Sequence, residues 1–449
     1  MATIFTPELL QLLRSEVIPA IGCTEPIAVA LCTARAKELL GAEPDKITVY
    51  LSKNVYKNAL AVGIPNTGMT GLPIAIALGA TVGKSEYMLE VLRDATPEAV
   101  AYAKQYMLRV PATIKVDYDA PSLLYIHVEV ANGDCTAQAT IIDEHTNFVT
   151  SPISNIQSPI SNSETSDSSA LSLRRVYDFA MEVDTHELTF LLEGAQMNTT
   201  AAETSFAEQY GHGLGRLLRP NLQRSDLPST GEANLTAQRL FGDTLFTKII
   251  SYTCGACDAR MSGAMVQVMS NSGSGNQGIS CSIPVYLYAK ENHCSEEQTL
   301  RALALSNLTV IYIKQSLGRL SALCGCVVAA TGSAAGITYL MGGNYEEITY
   351  AIKNMIANIS GMICDGAKPG CALKVTSGVA TAIFSAYLAM QHSYADSTEG
   401  IVEDDIDRTI RNLTRIGHDG MKVTDDLILD IMTHKKLCQR HEKRSPLAT

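Results

Sequence analysis

Four cysteines stand where the backbone is given unusual room. Cys23 precedes Thr-Glu-Pro in "AIGCTEPIAVA" (20–30), Cys324 lies in "SALCGCVVA", and Cys364 and Cys371 frame "GMICDGAKPGCALK". A thiolate is a nucleophile and a soft metal ligand, and a thiol at a helix N-terminus loses its proton more readily than one in a core. A buried inert cysteine has little need of flanking glycines, whereas a metal cluster needs that space, and thiolates are the usual iron–sulfur ligands. There is no CxxCxxC run, so the ligands of a cluster would come from distant parts of the chain. Packing is the alternative for each of them, because free cysteine behaves as a small hydrophobe.

A second constellation is "MSNSGSGNQGISCSIPV" (269–285), in which Gly273, Gly275 and Gly278 precede an apolar helix. Backbone N–H groups at such a start suit an anion, a carboxylate or a phosphate. Weaker motifs are set aside. "GHGLG" (211–215) follows a helical pattern and does not satisfy a nucleotide fingerprint. "CGAC" (254–257) is a lone CxxC pair, read as packing with structural zinc as its alternative. No Walker loop, HExxH or GxSxG is present.

The elements that must position these residues follow from periodicity. Residues 6–22 read as a helix with Thr6 as N-cap, and a second helix runs from about Pro26 to Leu40 with Thr24 or Glu25 as cap. "KITVYLSKNVYKNAL" (46–60) begins as a strand and ends in a polar Lys/Asn segment, and 62–83 is a Gly/Pro loop entering a small-residue helix. Residues 112–119 and two strands around Ala131-Asn132-Gly133-Asp134 predict a sheet with a hairpin. The fold class is therefore α+β. An N-terminal part (1–150) carries "GCTEP" and "SKNVYKN", followed by a polar Ser/Asn-rich loop (151–171). A mainly helical part (172–435) and a basic tail (436–449) complete the chain.

Composition excludes several classes. A net charge of −11 argues against nucleic acid as a partner, since phosphate binding needs a basic surface. Residues 1–30 show no signal peptide, and the uncharged stretch 320–345 is rich in Gly, Ala, Ser and Thr, as a buried helix is. A cytoplasmic protein with no membrane partner is expected, and twelve cysteines are then thiols rather than disulfides.

Together "GCTEP", "SKNVYKNALAVGIPNTGMTGLP", "SNSGSGNQG", "GRLSALCGC" and "ICDGAKPGCALK" resemble the L-cysteine desulfidase family, which is related to the α-chain of iron–sulfur-dependent bacterial L-serine dehydratase. The resemblance implies a [4Fe–4S] cluster, no pyridoxal phosphate, and elimination of hydrogen sulfide from L-cysteine to give pyruvate and ammonia. It carries three metal ligands onto Cys23, Cys324 and Cys364, while the dehydratase comparison points to Cys371 in place of Cys23. For the Cα proton, Lys53, Lys57 and Glu25 are the candidate bases. Asn54, Asn58, Asn276 and Gln277 are the candidates for holding the amino acid, and Asp365 and Lys368 for tuning a ligand. A serine or threonine dehydratase, and a non-enzymatic iron–sulfur or thiol sensor, are the other readings. The expected assembly is a homodimer.

Overall fold

The computed structural model describes residues 6–149, 171–219, 240–318 and 320–434. The polar loop predicted at 151–171, except its last residue, and the basic tail lie outside the described residues.

The chain enters through α1 (Thr6–Glu16), β1 (Pro19–Ile21), α2 (Thr24–Leu40), β2 (Lys46–Ser52) and α3 (Lys53–Ala59). Then come α4 (Leu72–Thr81), α5 (Pro97–Arg109), β3 (Thr113–Asp117), β4 (Tyr125–Asn132) and β5 (Cys135–Ile142). Strands β3-β2-β4-β5 form one mixed sheet, with β2 parallel to β3 and antiparallel to β4. The predicted hairpin is the β4–β5 pair, closed by Asn132 opposite Cys135. Ile47, Val49 and Leu51 alternate inward beside Ile126, Val128 and Val130, and α2 covers that face. Helices α2 and α4 cross so closely that a Cβ on Gly79 would stand 2.4 Å from the Ala30 carbonyl oxygen.

From residue 173 the chain is helical: α6 (Leu173–Glu182), α7 (Thr189–Ala207), the short α8 (Leu214–Leu217) and α9 (Leu245–Met261). After β6 (Gln267–Met269) come α10 (Gly275–Glu291), α11 (Glu296–Leu317), α12 (Gly325–Leu340) and α13 (Tyr345–Ile359). The last elements are α14 (Cys371–Ala389), α15 (Ile406–Arg415) and α16 (Lys422–His434). As expected of the stretch 320–345, α12 is buried from Cys326 to Thr338. Among the described helices only α14 is long and apolar enough to cross a membrane by length and composition.

Three expectations need correction. The first helix stops at Glu16 rather than 22, because Pro19 cannot donate to it, and residues 19–21 become a strand instead. That strand pairs antiparallel with β6, Pro19 opposite Met269 and Ile21 opposite Gln267. The start of the Gly-rich loop lies against the exit of α1, where the Ser270 N–H donates to the Ile18 oxygen at 2.8 Å and the Ser272 N–H to the Glu16 oxygen at 3.1 Å. The cap of α2 is neither Thr24 nor Glu25 but Cys23, with φ −79° and ψ 134°. The polar "KNVYKNA" segment is a helix, α3, with Asn54, Lys57 and Asn58 buried.

Candidate functional site

The two cysteine loops are zipped together. Leu323 and Ile363 form an isolated antiparallel bridge, the Cys324 N–H donates to the Met362 oxygen at 3.0 Å, and the Cys364 N–H donates to the Ala322 oxygen at 2.7 Å. In such a ribbon residues 324 and 364 share a face as diagonal neighbours, roughly 7–8 Å apart. Cys324 is the N-cap of α12, and Cys371 opens α14 seven residues after Cys364.

The three thiols act on one another's protons. Burial, then the charge of Cys324, raises Cys364, while burial, then Cys364, pushes Cys371 up to about 11. Cys324 goes the other way. A hydrogen bond from Cys326 holds it below the ordinary thiol range against the cost of burial, and Lys374 and Lys368 add positive charge. Lys374 donates to the Ile363 oxygen at 2.7 Å and pairs with Asp365. Lys368 donates to the main-chain oxygens of Asp365 and Gly366 at 3.1 Å. Burial would raise Asp365, but these two lysines outweigh it and hold the carboxyl at about 2. Asp365 and Lys368 thus pair with each other in the loop that follows Cys364.

Cys23 belongs to a different set of contacts. Its thiol donates to Glu25 Oε2 at 3.1 Å, the Thr24 hydroxyl donates to the same oxygen at 3.1 Å, and the Asn58 amide donates to Glu25 Oε1 at 3.0 Å. Burial, then the Glu25 charge, drives the Cys23 thiol well above its ordinary range. The predicted preference for thiolate at this helix start is therefore overturned. A helix terminus contributes about 0.3–1 kcal/mol, too little against desolvation beside a carboxylate. Glu25 stays below its ordinary value: burial opposes this, while His145, the Cys23 hydrogen bond and Arg260 favour the anion.

Helix α3 joins the two groups. Lys57 Nζ lies 3.5 Å from the Cys364 oxygen and pairs with buried Asp425 of α16, and Asn54 donates to the same carboxylate at 2.5 Å. Lys53 pairs with Asp426 nearer solvent. Lys53, Asn54, Ser321, Ala322 and Asp425 are among the residues lining a cleft of ≈ 300 Å³ beside the Cys364-bearing ribbon. On the other side Arg260, which is 1% exposed, donates from Nη1 to Asn276 Oδ1 at 3.0 Å. The Gln277 side chain lies against Gly325, so that a Cβ there would be 3.3 Å from its Cδ. Asp425 and Arg260 escaped the sequence reading, since "KVTDDL" and "CDARM" resemble ordinary helix and carry no spacing that signals chemistry.

The motifs set aside behave accordingly. The His212 N–H donates to Asp258 Oδ1 at 3.1 Å, which gives "GHGLG" a local packing role. Cys254 and Cys257 are buried inside α9, both raised chiefly by burial. Among the described residues, no three His, Cys, Asp or Glu side chains are gathered closely enough to hold a single metal ion. Ligands to separate irons of a cluster stand farther apart than ligands to one ion. Three mutually interacting thiols among lysines are a donor set that fits an anionic iron–sulfur group.

The sequence model of the family described as "Serine dehydratase alpha chain" matches residues 86–430. A "UPF0597 protein" of Phocaeicola vulgatus is 56% identical over 96% of this chain and 98% of its own length. Others of the same name from Bacteroides thetaiotaomicron and Oleidesulfovibrio alaskensis are 54% and 42% identical, over 96% and 95% of this chain and 98% of their own lengths.

Proposed function

The chain belongs to the serine dehydratase alpha chain family, and on that footing we propose that it is a lyase independent of pyridoxal phosphate, eliminating hydrogen sulfide from L-cysteine. The observation that carries this reading is the backbone-paired ribbon that sets Cys324 and Cys364 on one face beside Cys371 and three lysines. Cys324 and Cys364 would hold a [4Fe–4S] cluster, and Cys371, whose proton feels Cys364, would be the third ligand in preference to Cys23. Such a cluster, when bound, supplies Lewis acidity at an iron without a protein ligand.

The chain's own groups do the rest. Glu25, fixed as an anion by Asn58 and Cys23, accepts the Cα proton. The Cβ–S bond breaks with its electron pair leaving on sulfur, and the product is hydrogen sulfide and aminoacrylate, which water converts to pyruvate and ammonia. Lys53, on the cleft wall, is the second candidate for the proton. Asn58, Asn276 and Gln277 orient the amino acid, and Asn54 holds the α3–α16 contact that shapes the cleft.

A serine or threonine dehydratase is the second reading, favoured by the family description itself. Anaerobically reconstituted protein tests both: iron and acid-labile sulfide should be present, and L-cysteine should yield sulfide and pyruvate. Pyruvate formed much faster from L-serine replaces the first reading by the second. Absence of acid-labile sulfide removes the cluster.

A further inference from the structure

Arg260 stands in the last turn of α9, deep in the protein, with two nitrogens unmet. Its Nη1 is taken by Asn276, but Nε and Nη2 have no hydrogen-bond partner. Lys57 and Lys353, also buried, have theirs in Asp425 and the Asp404 carbonyl. A buried charge with open donors is among the costlier arrangements a fold keeps. Nε and Nη2 are neighbours on one edge of the guanidinium, the edge that receives a carboxylate through two parallel N–H···O bonds.

The start of α10 packs against the guanidinium without satisfying it. A Cβ on Gly275 would stand 2.3 Å from Nε, so only glycine lets the guanidinium lie against the start of α10, where Ser274 gives no side-chain cap. Glu25, the carboxylate whose charge Arg260 feels, has its oxygens engaged by Cys23, Thr24 and Asn58. Gln277, one residue beyond Asn276, also carries an unpaired Oε1 and lies against Gly325, beside Cys324. We infer that Arg260 anchors the α-carboxylate of the amino-acid substrate, an assignment that rests on the amino-acid lyase reading above.

The test is calorimetric binding to the anaerobically iron-loaded full chain, using L-alanine, which has no leaving group, and L-alaninamide, which lacks the carboxylate. L-alanine should bind, and its amide should bind at least about 10-fold more weakly. Arg260→Lys should raise the Kd of L-alanine by about 10- to 100-fold and leave the amide unchanged, because lysine cannot reproduce a two-donor edge. Asn276→Ala, which keeps the charge but frees Nη1, should raise it by a smaller factor and covers the case in which Arg260→Lys does not fold. Equal binding of the two compounds, no binding of L-alanine, or an Arg260→Lys protein that binds L-alanine normally overturns the assignment. Discrimination between L-alanine and its amide without sulfide release from L-cysteine overturns the desulfidase reading and leaves the carboxylate anchor standing.

Discussion

Lys57 Nζ lies 3.5 Å from the main-chain oxygen of Cys364, and the next residue, Asn58, holds Glu25. A helix of seven residues thus touches the cysteine ribbon with one side chain and the carboxylate with the following one. Its footing is Asp425, buried with Lys57 and bonded to Asn54.

Lys57→Met leaves the Asp425 charge buried without its ion-pair partner, and should destabilise the protein by about 3–5 kcal/mol. Lys53→Met breaks a pair that water already screens, and should cost about 0–1 kcal/mol. Urea unfolding of the two variants measures the difference, and equal midpoints would contradict the buried role of Lys57.

Serine in place of Cys324, Cys364 or Cys371 should each strip iron and acid-labile sulfide from the anaerobic protein. Cys23→Ser should keep both while lowering turnover, since Cys23 bonds Glu25 as a thiol. Loss of iron from Cys23→Ser would restore Cys23 as a ligand, and full activity would deny it any part in the site.

Glu25→Gln should lower kcat by about 10²–10⁴-fold with iron content unchanged. Because the carboxyl is held below its ordinary value, the wild-type kcat/KM profile should show no protonation of this group between pH 5 and 8. An acid limb in that window that vanishes in Glu25→Gln would contradict the lowered carboxyl value, and a Glu25→Gln protein with undiminished kcat would refute the role as base.

Asp258 is raised to about 6, chiefly by burial. A carboxyl whose folded value exceeds its unfolded one stabilises fully below the unfolded value, and this contribution is lost as pH rises through about 6. The stability of wild type relative to Asp258→Asn should therefore improve on going from pH 7 to pH 5, by on the order of 1–2 kcal/mol. Thermal unfolding at the two pH values checks the sign.

The α+β class, the β4–β5 hairpin and the buried small-residue helix were legible because each rests on local pattern: an Asn-Gly turn, alternation, and a long uncharged run. The β1–β6 pair was not legible. Three-residue strands have too little alternation to be seen, and Val17, Ile18 and Ile21 mimic helical spacing across Pro19. Among the site residues, the cysteines and asparagines signalled themselves by glycine and polar neighbours. Arg260 and Asp425 acquire meaning only from partners elsewhere in the chain, Asn276 for one and Lys57 for the other. Cys23 shows the limit most clearly: its place at a helix start was readable as a cue, but the desolvation that reverses its ionisation belongs to the assembled interior.

Cys324 and Cys364 are forty residues apart (364 − 324) and meet on a ribbon with a single backbone bridge. The chain between them is folded into α12 and α13, and the ribbon itself is joined by only a few hydrogen bonds. On the cluster reading, thiolates gripping one cofactor across that ribbon act as a clasp, and the free energy of metal binding becomes free energy of folding. Iron supply would then govern how much of the protein survives proteolysis, and starvation for iron would deplete the chain itself as well as silence it.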